Sequence, residues 1–104
     1  MRYKEFLEYL ENNLDGYEIF LLKATDFQSD KNARRPAKKR WDDEKIRRVA
    51  HDMWKQSMQP LYENLKREIS SDIQEDWISY INNNNIFETV NDGIREIDFS
   101  GDDM

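Results

Sequence analysis

The spacing of the apolar residues constrains this chain more than any other feature. From Tyr3 to Leu14 they fall at Tyr3, Phe6, Leu7, Leu10 and Leu14, in steps of three and four. Such steps place side chains on one face of an α-helix, whereas a half-buried strand alternates every second residue. The spacing predicts a helix over residues 2–14, ended at Asp15-Gly16 with Gly16 as a left-handed C-cap. Tyr17, Phe20, Leu21, Ala24 and Phe27 repeat the pattern. Ile19 and Leu22 lie off that stripe, which predicts a helix buried on more than one side. A strand over 17–22 is the rival reading. It has no convincing second strand to pair with, and a lone strand leaves its backbone groups unpaired.

Residues 28–40 carry no apolar period, and Pro36 drives Arg35 away from helical angles. A loop or frayed helix end is expected at about 28–41. Regularity returns at WDDEKIRRVAHDMWKQSM. Asp42 is a good N-cap, and Asp43 and Glu44 sit where the helix dipole favours anions. Ile46, Val49, Ala50, Met53 and Ser57 form the expected inward stripe. Pro60 either kinks this helix or occupies the first turn of a new one. Leu61, Leu65 and Ile69 continue the stripe. Two capping boxes, Ser71–Gln74 and Asn85–Glu88, predict two further helix starts. The first carries Ile73, Trp77 and Ile81, the second Ile86, Phe87, Val90, Ile94 and Ile97. Gly93 weakens the last helix by about 1 kcal/mol relative to alanine.

The expected fold is all-α: one compact domain over 1–104, of five to six short helices in an orthogonal or bundle-like arrangement. A tail at about 99–104 should fray. The expected core holds Phe6, Leu10, Phe20, Leu21, Val49, Met53, Trp54, Leu65, Trp77, Val90 and Ile94.

Composition and motifs narrow the function classes. Cysteine is absent, which removes disulfides, thiolate metal sites and a cysteine nucleophile. The one histidine, His51, lies beside Asp52, and adjacent side chains on a helix point apart. Asp72, Glu75 and Asp76 share a helix face, but acids near a helix N-terminus read better as a solvated, dipole-matched turn than as a metal site. Asp42, Asp43 and Glu44 read the same way. Three glycines, at 16, 93 and 101, cannot build a phosphate-binding loop. The expectation is a chain that is not an enzyme and uses no metal and no cofactor. The longest apolar run, IFLLKA, contains Lys23 and falls far short of the ~20 residues of a membrane span. The stretch MRYKEFLEYLE lacks the apolar core of a signal peptide, so a cytoplasmic location is expected.

Charge gives the sharpest functional signal. The chain has a formal net charge of −6, yet Lys31, Arg34, Arg35, Lys38, Lys39 and Arg40 crowd together and Trp41 follows. Residues 31–48 sum to +6, residues 1–30 to −4 and residues 49–104 to −8. Separate surfaces of opposite sign favour steered association with charged partners. In one reading the basic segment folds back on the acidic last helices and neutralises them. In a second, Arg34, Arg35, Lys38, Lys39 and Arg40 contact nucleic-acid phosphates, Arg47 and Arg48 extend the patch, and Trp41 stacks on a base. The net charge opposes that. A third reading is protein recognition, by the basic loop on an acidic partner or by the acidic helices on a basic one. The acidic helices could act as a decoy in the channel of a nucleic-acid-binding enzyme, as inhibitors from mobile elements or phages do. That analogy rests on charge and size alone. Self-association is a further reading. The favoured expectation is a regulatory or protein-interaction module that binds through Lys31, Arg34, Arg35, Lys38, Lys39, Arg40, Trp41, Arg47 and Arg48.

Overall fold

A computed structural model describes residues 1–99; of the tail expected to fray at about 99–104, Phe99 is described and is packed on Phe20 and Phe27, and residues 100–104 lie outside the described residues. Five α-helices follow in order: α1 (Tyr3–Asn13), α2 (Gly16–Ala33), α3 (Asp43–Ile69), α4 (Gln74–Asn83) and α5 (Ile86–Glu96), with a short 3₁₀ turn at Ala37–Lys39. No strand occurs among the described residues, so 17–22 is helical. No helix among them is long and apolar enough to cross a membrane.

The spine is α3, 27 residues long and therefore about 40 Å from end to end at 1.5 Å per residue. Asp42 caps it as expected: Oδ1 accepts from the Lys45 N–H at 2.8 Å. Pro60 lies inside the helix, which continues through it to a left-handed Ser70 with φ 52°. The buried stripe is Ile46, Ala50, Trp54, Met58, Tyr62 and Leu65, not the expected line through Val49, Met53 and Ser57. Val49 and Met53 are half-buried and Ser57 is exposed. Steps of four overshoot one 3.6-residue turn, so the stripe winds about the axis by about 40° per step.

That winding gives α3 two differently directed apolar ends. Over its N-terminal half lies α2, antiparallel to it: Phe20 meets Trp54 with ring centroids 5.4 Å apart, and Asn32 meets Trp41. Toward its C-terminal half lies α1, also antiparallel, with Tyr3 and Phe6 at 5.0 and 5.3 Å from Tyr62. Trp77 of α4 stacks on Tyr62 at 5.2 Å and donates Nε1–H to the Ser71 carbonyl at 2.7 Å. α5 runs parallel to α2, and Phe99 beyond it packs on Phe20 and Phe27. The Lys23 ammonium donates to the carbonyls of Ile94, Arg95 and Ile97 at 3.1, 2.6 and 3.1 Å. It bonds carbonyls at the C-terminus of α5, of which that of Ile94 also accepts from the Ile97 N–H, where the dipole favours a cation.

Seven of the expected core residues are buried: Phe6, Leu10, Phe20, Trp54, Leu65, Trp77 and Ile94. Leu21, Met53 and Val90 pack half-buried against them. Other details depart from expectation. Leu22 is 64% exposed, because α3 and α5 cover only one side of α2. Neither capping box forms. The N-cap of α4 is Ile73, and Ser71 instead bonds the Ile73 N–H and Asp76 Oδ2. Asn85 precedes α5 in a left-handed conformation with φ 53° that turns its side chain out of capping reach.

Gly16 opens α2 rather than capping α1, and its φ is not positive. Its N–H donates to Asn91 Oδ1 at 2.7 Å, and a Cβ placed there would stand 2.4 Å from that oxygen and 2.8 Å from Ile94 Cδ1. A larger residue would push aside the Asn91 oxygen that accepts the Gly16 N–H and the end of the buried Ile94 side chain, because α5 sits against the start of α2. Nothing lies within 4 Å of a Cβ on Gly93. Gly16→Ala should therefore lose about 1–3 kcal/mol of stability, and Gly93→Ala should gain about 0.4–1 kcal/mol. Urea denaturation of the two variants checks the opposite signs.

Candidate functional site

The segment expected as a loop or frayed helix end is divided between the two. α2 continues to Ala33, so 28–33 is helix. The register explains it. Phe20, Ala24, Gln28 and Asn32 step by four, and the last two extend the inward face with polar side chains. Gln28 is buried and donates Nε2–H to Met53 Sδ at 3.3 Å. Asn32 clamps the turn: its Nδ2 donates to the Trp41 carbonyl at 3.0 Å and its Oδ1 accepts from the Trp41 N–H at 2.8 Å. One amide side chain thus bonds both backbone groups of the residue that leads into α3. The same Oδ1 accepts from Arg35 Nη1 at 3.1 Å.

Trp41 is half-buried, and two cations engage its ring. The Arg35 guanidinium carbon lies 3.9 Å from the centroid and the Lys45 ammonium 4.7 Å. Cations prefer such positions over an indole face. A nucleic-acid base stacking on a face that either cation covers would have to displace it. Arg40 is also committed, donating Nε–H to the Arg35 carbonyl at 3.1 Å and Nη2–H to the Ala33 carbonyl at 3.3 Å. Lys31 reaches over the Phe27 ring at 4.8 Å.

The residues of this turn therefore do different work. Asn32, Arg35, Arg40 and Trp41 hold the turn together, and of these the sequence reading missed Asn32. Its signal was the fourth-residue register from Phe20 and Ala24. Lys38 and Lys39 in the 3₁₀ turn, and Arg47 and Arg48 on the first turns of α3, are exposed. These four make no ion pair with a described residue. Arg34 is exposed at the C-cap of α2. All nine candidates lie where α2 ends and α3 begins, in a body 50 Å long and about 22 Å across.

Groups that sequence reading weighed for chemistry sit elsewhere. His51 Nε2 is 3.7 Å from Glu11 Oε2, and its ring meets Tyr17 edge-on at 6.4 Å. Burial, and then the Glu11 carboxylate, raise the Tyr17 phenol above its ordinary pKa. Asp76 is bonded by Ser71, and no described group of three or more acids or histidines is placed to hold a metal. Comparison with protein-family models, curated proteins and solved structures finds no match for this chain.

The Asn32 clamp makes a specific prediction. Asn32→Ala removes the acceptor of a half-buried N–H and the donor to a carbonyl, and should cost about 1–3 kcal/mol. Hydrogen exchange should show the Trp41 amide losing protection while amides near Trp54 keep theirs.

Proposed function

We propose that this chain is a non-catalytic interaction module that binds an acidic protein surface through its basic end. The observation that supports this reading most is the uncompensated charge of Lys38, Lys39, Arg47 and Arg48 on a turn that is itself pinned. A pinned turn lowers the entropy lost on binding. Exposed cations grouped on an otherwise acidic chain steer encounter with carboxylate-rich surfaces and raise the association rate. The occupied Trp41 ring and the net charge of −6 both weigh against nucleic acid as the partner.

Lys38→Glu, Lys39→Glu, Arg47→Glu and Arg48→Glu, combined, are the informative change. None of the four side chains holds the fold, so helicity and melting temperature should stay the same. Association with protein partners captured from nuclease-treated lysate should slow by about tenfold or more at low salt, and the difference should fade as the Debye length falls toward ~3 Å at 1 M salt. Capture that depends on intact nucleic acid, with log affinity falling linearly in log salt, would move the assignment to nucleic-acid binding. Unchanged association rates would remove the basic end from the interface.

A further inference from the structure

Two hollows lie side by side on the flank of the molecule, His51 lines both, and the first reaches Arg47 at the edge of the basic end. One, of about 470 Å³, lies between α2 and α3; the other, of about 440 Å³, lies between α1 and α3. Tyr3, Leu7, Leu21 and Leu22 supply the apolar lining. Leu22 is one of two large hydrophobic residues the described surface leaves well exposed, and the other is Ile73 near the far end of α3. We infer that this trough is the contact face between two copies of the chain, packed side by side about a two-fold axis.

The charges select a second copy over a partner of one sign. Glu8, Glu11 and Glu18 stand at the two hollows with Lys4, Arg47 and Lys55, three of each sign. An isologous interface must be complementary to itself, so it needs both signs in balance. A strongly acidic or basic partner would meet as many like charges as unlike ones. The ends of the molecule lack this balance, since residues 31–48 sum to +6, and two copies repel if they meet there. Size is sufficient as well. A flank of a body 50 Å by about 22 Å can supply the ~800 Å² per partner of a standard interface. On this arrangement Leu22 of one copy seats in the trough of the other, while Lys38, Lys39 and Arg48 remain open for a different partner.

Sedimentation velocity and light scattering on the full chain, from micromolar to millimolar concentration, test this. A dimer that forms with concentration and persists in high salt is expected, because the rim is charge-balanced. Leu22→Glu should weaken dimerisation at least ~tenfold, with unchanged circular dichroism because the side chain is already exposed. Ile73→Glu serves as the control and should leave the dimer intact. A chain monomeric throughout, a dimer abolished by salt, or one that responds to Ile73→Glu and not to Leu22→Glu would each overturn the inference.

Discussion

Everything in this fold hangs on the way one apolar stripe winds around α3. Ile46, Ala50, Trp54, Met58 and Tyr62 follow one another at intervals of four. Each interval overshoots a turn, so the stripe changes direction along the helix. Trp54 presents to α2 and Tyr62 to α1 and α4. Two aromatic centres result, Tyr17–Trp54–Phe20–Phe99 and Tyr3–Phe6–Tyr62–Trp77. Edge-to-face and tilted pairs of this kind add about 0.5–1.5 kcal/mol each beyond the area they bury. The Trp54 indole N–H has no acceptor among the described residues, a cost of about 1–3 kcal/mol set against a fully buried ring. Pro60 removes one α3 hydrogen bond, yet the helix continues, since Met58 and Tyr62 anchor it on either side.

A long spine also separates charge. The basic residues gather where α2 hands over to α3, residues 31–48 summing to +6, whereas residues 49–104 sum to −8. A polypeptide turn carrying so many like charges resists ordering. Here it is held by one amide clamp, two cations on one indole and an arginine that bonds two backbone carbonyls. The structural work of Arg35, Arg40 and Trp41 leaves Lys38, Lys39, Arg47 and Arg48 as the residues with charge to offer a partner. Charge at the end and apolar surface on the flank adjoin at Arg47, which lines the hollow between α2 and α3, whereas Lys38, Lys39 and Arg48 stand outside both hollows.

The helical class was legible in the sequence because steps of three and four recur from Tyr3 to Ile97. Burial at Phe6, Leu10, Trp54, Trp77 and Ile94 followed from the same pattern. What escaped has particular causes. A stripe stepping by four drifts, so the inward line of α3 passed through Trp54 and Met58 rather than Met53 and Ser57. The end of α2 was hidden because Gln28 and Asn32 occupy inward positions with polar side chains, and apolar periodicity is blind to them. Gly16 resembled a helix stop, but its role is set by Asn91 and Ile94, some 75 residues away in sequence, beyond any local reading. The candidate site was legible as a charge cluster. Its division into holding and offering residues was not, because that depends on which guanidinium reaches which carbonyl.

The separation of the basic end from the second aromatic centre requires α3 to be one continuous helix through Pro60. The chain has no native cysteine, so spin labels can be placed cleanly at Glu44→Cys and Glu68→Cys, both exposed on α3. Pulsed electron–electron double resonance then measures the span. A single narrow distribution near the ~36 Å that twenty-four helical steps imply is expected. A broad or bimodal distribution centred well below ~30 Å would mean that the helix breaks at Pro60, and would contradict the spine on which the packing and the charge separation both rest.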